Sequence, residues 1–145
     1  MWVDQLSVFV QNTHGRLAQL TQVLAGHNID ICTLSIADTT QYGILRMIVR
    51  ETAKAEQVLK DAGFTVHTDR VLAIDVPDRP GGLAEVLLAL DAQSVGIEYL
   101  YSFVRTPNQN AAILFKVDDE QQAVAVMQSQ GIAFIDAEAL YVRPQ

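Results

Sequence analysis

Hydrophobic residues recur along the chain with two different periods, which predict strands and helices. Leu6, Val8 and Val10 alternate with other positions, as in a strand with one better-buried face. The apolar residues that follow recur at helical spacing and predict a helix: Leu17, Leu20, Val23 and Leu24. Apolar runs at residues 29–36 and 44–49 then predict two strands. A second helix follows, with one apolar face and a terminating glycine: Ala55, Val58, Leu59, Ala62 and Gly63.

The same succession of elements occurs again in the second half of the chain. In one register, Gly15 matches Gly81, and after a slightly longer loop Gly63 matches Gly131. Apolar positions match in every successive segment: Leu6 with Leu72, Val8 with Ile74, Val10 with Val76, Leu17 with Leu83, Leu24 with Leu90, Ile31 with Ile97, Leu45 with Ile113, Met47 with Phe115, Val49 with Val117, Ala55 with Ala123, and Val58 with Val126. Because both the glycines and the order of segments repeat, we interpret the chain as an internal duplication.

Each copy follows the order β-α-β-β-α-β, which predicts an α+β fold of two tandem ferredoxin-like domains. Each domain is expected to be an antiparallel sheet with its helices on one face. We place the domains at residues 1–69 and 70–145. The join near Asp69-Arg70 has no Gly/Ser/Pro-rich linker, so we expect the copies to pack as one rigid body, with their sheets joined edge to edge.

The last strand of each copy is left open by the sequence. It is either the short run Phe64 to His67, with Ile132 to Ile135 as its counterpart, or a C-terminal strand. In the second case the run from Ala139 to Val142 crosses over and completes the sheet of the first copy.

Charge and composition exclude several classes of function. The formal charge is −7, and the ten basic residues are scattered, so no basic stripe exists for a nucleic-acid backbone. No apolar run approaches the roughly 18 residues that span a bilayer. The N-terminus lacks the features of a signal peptide, so we expect a cytoplasmic protein without membrane or nucleic-acid partners. Cys32 is the single cysteine, and we interpret it as a small buried hydrophobic residue.

Catalytic and cofactor motifs are absent from the sequence. The histidines, His14, His27 and His67, have no metal-ligand spacing, and no nucleophile elbow, Walker loop or dinucleotide fingerprint is found. The cluster Asp118-Asp119-Glu120 begins a helix, where carboxylates favour the helix dipole. We therefore predict a protein without cofactor, metal or catalytic residues, although a ferredoxin-like scaffold alone does not exclude a small enzyme.

Both copies carry Asn/Asp-x-x-Gly-x-Leu where the first strand turns into the first helix. The motifs are Asn12-Thr13-His14-Gly15-Arg16-Leu17 and Asp78-Arg79-Pro80-Gly81-Gly82-Leu83. This pattern resembles the ACT domain family of small-molecule regulatory modules, and the resemblance covers nearly the whole chain. The chain is similar to the stand-alone tandem ACT proteins of bacteria. His14 stands where the family usually has proline.

The resemblance implies that an effector, often an amino acid, binds at this turn and beside the start of the second strand. The first region holds the two motifs, and the second holds Asp30 and Ile31 in one copy and Gly96, Ile97 and Glu98 in the other. A helix N-terminus suits a carboxylate, and glycine lets a ligand approach the backbone. Asn12 and Asp78 have acceptors for an ammonium group, but they are also favoured helix caps. Tyr99 and Tyr101 line the same cleft or belong to the core.

Three hypotheses for function follow. The first is a free-standing amino-acid sensor, and the second is a regulatory subunit of an amino-acid biosynthetic enzyme. The third is a small enzyme on the same scaffold. In the first two cases we expect a small-molecule ligand, a possible partner enzyme and a two-fold homodimer, the commonest closed assembly.

Overall fold

A computed structural model describes residues 2–11, 13–38, 41–103 and 110–141. Contacts divide the chain into two compact units. The first unit consists of residues 4–70, and the second consists of the described residues from 71 onward together with Trp2 and Val3.

The first unit is a sheet covered on one face by two helices. Its elements are β1 (Trp2–Gln11), α1 (Arg16–Gly26), β2 (Ile31–Asp38), β3 (Tyr42–Val49), α2 (Thr52–Asp61) and the first half of β4 (Thr65–Val76). β3 pairs antiparallel with both β1 and β2, so that Met47 lies opposite Leu6 on one side and Leu34 on the other. The core joins alternate strand residues such as Val8 and Leu45 to helix residues such as Leu20 and Leu59.

The second unit repeats this arrangement. After β4 come α3 (Gly82–Ala92), β5 (Ile97–Phe103), β6 (Ala111–Val117), α4 (Glu120–Ser129), β7 (Ala133–Phe134) and α5 (Ala137–Tyr141). β6 pairs antiparallel with β4 and β5, and β7 pairs antiparallel with β4. The core contains Leu72 and Phe115 from strands and Leu90 and Met127 from helices, and Trp2 packs against it.

The duplication extends to backbone details that the apolar pattern does not encode. Gly15 has φ 86° and ψ −10°, and Gly81 has φ 86° and ψ −9°. Asn28 and Ser94, at matching positions after the first helix of each copy, are the two described non-glycine residues with positive φ, at 58° and 56°. β2 and β5 each have a register irregularity at their second residue. The predicted α+β fold of two ferredoxin-like copies is therefore confirmed.

The structure decides the question of the last strand. In the second copy it is β7, which places Phe134 opposite Ile74. In the first copy, Thr65 to His67 of the predicted run form the start of β4, and Phe64 lies directly before it. The alternative, a C-terminal strand from Ala139, is wrong because residues up to Tyr141 form α5, whose Leu140 is buried. Val142 lies outside the described residues.

The interpretation of Cys32 also needs correction. Its side chain is half-buried instead of fully buried. It lies at the register irregularity between Ile31 and Thr33, where the strand departs from regular pairing. A residue at such a bulge does not follow the inward and outward alternation on which the sequence interpretation relied.

Candidate ligand site

The strand-to-helix turn has the same hydrogen bonds in both copies. In the first, the Thr13 N–H donates to the Gln11 carbonyl at 2.8 Å, and in the second the Arg79 N–H donates to the Pro77 carbonyl at 2.9 Å. The helix then begins after a glycine in the left-handed region. Most side chains there would strain the backbone, so the turn itself favours glycine at position 15 and at its counterpart, position 81.

Neither first helix has a side-chain cap. The N-cap residues are Gly15 and Gly81, and the described part of the chain shows no side-chain cap hydrogen bond at either helix start. The interpretation of Asp78 as the helix cap is therefore wrong. Asp78 lies three residues before the N-cap residue Gly81, and its side chain is exposed. Asn12 lies outside the described residues.

The first N–H group of each helix donates to a backbone carbonyl, Arg16 to Thr13 at 3.3 Å and Gly82 to Arg79 at 3.0 Å. For the N–H groups that follow, the glycine caps supply no side-chain acceptor, and a helix start of this kind can bind an anionic group.

A small cavity adjoins the turn of the first copy. Its volume is about 100 Å³, and its lining comes from the turn, α1 and the strands β1, β2 and β3: Val10, Gln11, Thr13, Leu17, Ile36, Gly43 and Leu45. Leu17 and Ile36 are 39% and 45% exposed, which is high for large apolar side chains. The volume equals that of about three water molecules, enough for a short apolar side chain beside the helix N-terminus.

Sequence reasoning missed most of this lining. Thr13 and Leu17 were among the candidates, but the strand residues were not. The signal that could have found them is the register of the sheet, because Val10 lies opposite Gly43 and Ile36 lies opposite Leu45. That pairing brings the ends of β1, β2 and β3 together at the turn.

The second group of candidates lies at the other end of each first helix. α1 runs for 11 residues away from the turn before the chain reaches Asp30 and Ile31, a distance of about 16 Å. The same holds for Gly96, Ile97 and Glu98 after α3. Within one copy, the structure therefore does not bring the turn and the start of the second strand into one site.

Gly96 has a structural explanation that needs no ligand. Its N–H donates to Asp118 Oδ1 at 2.9 Å, and the Asp118 N–H donates to the Gly96 carbonyl at 3.0 Å. A Cβ at Gly96 would lie 2.4 Å from Asp118 Oδ2. Next in the cluster, Asp119 caps α4 by accepting from the Gln122 N–H at 3.0 Å, which confirms that this acidic run begins a helix.

The arginines of the two turns are engaged within their own units. The Arg16 guanidinium lies 4.0 Å from the ring centroid of Phe64, and its Nη1 donates to Gln19 Oε1 at 2.8 Å. Arg79 Nη2 donates to both carboxylate oxygens of Glu85, at 3.0 and 3.2 Å. Both arginines therefore contact the first turns of their own helix, and Arg16 also contacts Phe64 in the segment between α2 and β4.

The other candidates in the turns differ in exposure. His14 and Pro80 are exposed, whereas Leu83 is half-buried and packs against the second core. Gly82 is buried, and a Cβ there would lie 2.1 Å from the Pro77 carbonyl oxygen. Among the described residues, no three His, Cys, Asp or Glu side chains are grouped so as to hold a metal ion, and no helix is long and apolar enough to cross a membrane.

Comparison with known proteins agrees with the fold. A family model described as an ACT domain pair matches residues 1–142. The chain belongs to the ACT domain family. This ACT pair resembles the crystal structure of protein BT0572 from Bacteroides thetaiotaomicron, with 39% identity, 97% of this chain and 96% of that chain covered, and a TM-score of 0.90. No curated protein matches it in sequence.

Two further structures share the fold at low identity. The regulatory subunit of aspartate kinase from Thermus thermophilus, in its ligand-free form, is 14% identical, with 88% and 90% of the two chains covered and a TM-score of 0.64. The corresponding subunit from Thermus flavus is 13% identical, with 87% and 90% covered and a TM-score of 0.60. These similarities show a fold that is used in regulatory subunits.

Proposed function

We propose that this ACT pair is a regulatory protein without catalytic activity of its own, which binds an amino acid at its strand-to-helix turns. The observation that carries the proposal is the pair of helix N-termini whose N-cap residues, Gly15 and Gly81, are glycines in the left-handed region and supply no side-chain cap. The membership of the ACT family supports it, since ACT domains are regulatory modules.

The geometry of the first copy suggests how an amino acid would bind. Its α-carboxylate would accept hydrogen bonds from the N–H groups at the start of α1, where the helix dipole favours negative charge. Its side chain would enter the cavity beside Val10 and Leu45. Gln11 and Thr13 also line the cavity, and their side chains carry oxygen acceptors that an ammonium group could use.

In the second candidate function, binding of the ligand regulates a partner enzyme. The Thermus proteins that share the fold are regulatory subunits of a kinase, and this supports a role expressed in a complex. We retain the predictions of a cytoplasmic location and of a two-fold homodimer. Recovery of an enzyme with this chain from its native host would favour the subunit role, whereas ligand-dependent behaviour of the isolated chain would favour a sensor.

A screen of the standard amino acids by thermal shift, followed by calorimetric titration, tests the proposal. We then expect Gly15→Asn to weaken binding of the amino acid at least tenfold. No atom lies within 4 Å of a Cβ built at this position, and asparagine tolerates the left-handed region, so the fold should persist while the new side chain occupies the ligand's place.

Gly63→Asn is the matched control. Gly63 also has positive φ, 91°, and open space around a Cβ, but it follows α2 and lies outside the cavity lining. Its substitution should leave affinity unchanged. If no amino acid stabilises the protein, or if both variants bind alike, the turn of the first copy is not the site.

A further inference from the structure

The cavity beside the turn of the first copy has a buried floor. Val10 and Leu45, which line it, are 7% and 1% exposed and belong to the core of the first unit. Gly43 is also buried; it pairs with Val10 and lies two residues before Leu45 on β3. Because paired strand residues and residues two apart share one face of a sheet, a Cβ at Gly43 would point to the same side as these two side chains. Glycine at position 43 thus leaves space in the floor that a side chain there would fill.

The rim of the cavity is apolar as well. Leu17 at the start of α1 and Ile36 on β2 are 39% and 45% exposed, so both have apolar surface left for a ligand to cover. With Val10 and Leu45 they give the described lining four large aliphatic side chains. A charged side chain placed among them would lose its hydration, whereas each buried methyl or methylene group would stabilise the complex. The lining thus favours an aliphatic side chain on the bound amino acid.

The cavity is small enough to limit the size of that side chain. Its volume of about 100 Å³ holds roughly three carbon atoms if each takes the ~30 Å³ of a water molecule. The second copy has a different floor and rim at the equivalent positions, because Ala111 takes the place of Gly43 and Ser102 takes the place of Ile36. A preference set by this floor and rim is therefore a property of the first copy.

We propose that the turn of the first copy selects an amino acid with an aliphatic side chain no larger than that of valine, and that Gly43 sets this limit. The inference rests on the proposed binding of an amino acid at this turn. The α-carboxylate lies at the start of α1, and the side chain packs on the floor between Leu17 and Ile36. An aromatic side chain exceeds the space above the floor, and a charged one loses its hydration against the apolar lining.

Calorimetric titration of the full chain with glycine, alanine, α-aminobutyrate, valine and phenylalanine tests the preference. Affinity should rise about fourfold with each carbon from glycine to valine, because each added carbon is buried on the floor or the rim. Phenylalanine, whose ring exceeds the volume of the cavity, should bind at least about tenfold more weakly than valine. Lysine and glutamate should bind more weakly than valine by a similar factor, because their charges lose hydration.

Two variants introduce the residues of the second copy and locate the preference. Gly43→Ala fills part of the floor with a methyl group, so it should weaken valine about tenfold while leaving alanine unchanged. Gly43 is not among the glycines with positive φ, so its backbone is open to alanine. Ile36→Ser removes apolar surface from the rim and should also weaken valine more than alanine. A general loss of stability would instead change both affinities by the same factor.

Two controls change the same residue types elsewhere in the first unit. Leu34→Ser removes a side chain that is 49% exposed on the same strand as Ile36 but lies outside the described lining. Gly26→Ala adds a methyl group at the end of α1, where nothing lies within 4 Å of a Cβ. Both controls should leave the affinities for alanine and valine unchanged.

Three results would overturn the proposal: valine binds no more tightly than glycine, phenylalanine binds as tightly as valine, or Gly43→Ala changes the affinities for alanine and valine by the same factor or not at all. If amino acids bind the wild type and Gly15→Asn weakens that binding, the proposed function stands even when the preference fails. If no amino acid binds, the proposed function fails and the preference fails with it.

Discussion

Replacing Gly96 by alanine should destabilise the protein through one identified contact. Gly96 is not among the glycines with positive φ, so its backbone is open to alanine. The obstacle is steric, because the three nearest heavy atoms to a Cβ there all belong to the Asp118 carboxylate, the first at 2.4 Å. That carboxylate must move away and give up the 2.9 Å hydrogen bond from the Gly96 N–H.

The expected cost follows from the bond that is lost. Hydrogen bonds to charged groups contribute about 1.5–3 kcal/mol, and Asp118 is exposed, so we expect Gly96→Ala to lower the free energy of unfolding by about 1–2 kcal/mol. Gly26→Ala is the control. Gly26 is the last residue of α1 with nothing within 4 Å of a Cβ, and there alanine should stabilise by up to about 1 kcal/mol.

A double-mutant cycle separates this mechanism from a general effect of the added methyl group. Asp118→Ala alone should also destabilise by about 1–2 kcal/mol, since it removes the same hydrogen bond. In the double variant the methyl group has space, so the two costs should not add. Urea unfolding of the four proteins measures the cycle. Additive costs, or a Gly96→Ala variant as stable as wild type, would refute the steric coupling.

Two further predictions concern pH and assembly. A hydrogen bond from Lys60, the larger cause, and one from Thr68 lower the pKa of Glu56. The resulting stabilisation is complete above the pKa of glutamate in the unfolded chain and is lost as pH falls through the lowered pKa. Glu56→Gln should therefore lower the free energy of unfolding, measured with urea, by up to about 1 kcal/mol at pH 7 and leave it unchanged near pH 2. Light scattering at micromolar concentration should give the mass of a homodimer, with and without amino acid, and a monomer mass in both cases would contradict it.

The local pattern of the sequence determined most of the fold. Alternation along Leu6, Val8 and Val10 and helical spacing from Leu17 to Leu24 are properties of neighbouring residues. The strand residues and Leu20 and Leu24 of the helix are buried as predicted, whereas Leu17 at the start of the helix is 39% exposed. Because the pattern occurs in both halves of the chain, two matching segments of the sequence supported each predicted element. The short C-terminal helix α5 was missed because apolar runs of five or so residues fit a strand and a helix equally well.

The candidate sites depended on contacts between residues far apart in the chain. The sequence identified Gly15 and Gly81 as turn residues, because left-handed backbone favours glycine locally. It did not show that Gly96 faces Asp118, which follows from the pairing of β5 with β6. Nor did it show that the second copy has a cavity beside Gly82. The volume of a cavity depends on the side chains that several elements bring to one point, and tertiary packing alone brings them there.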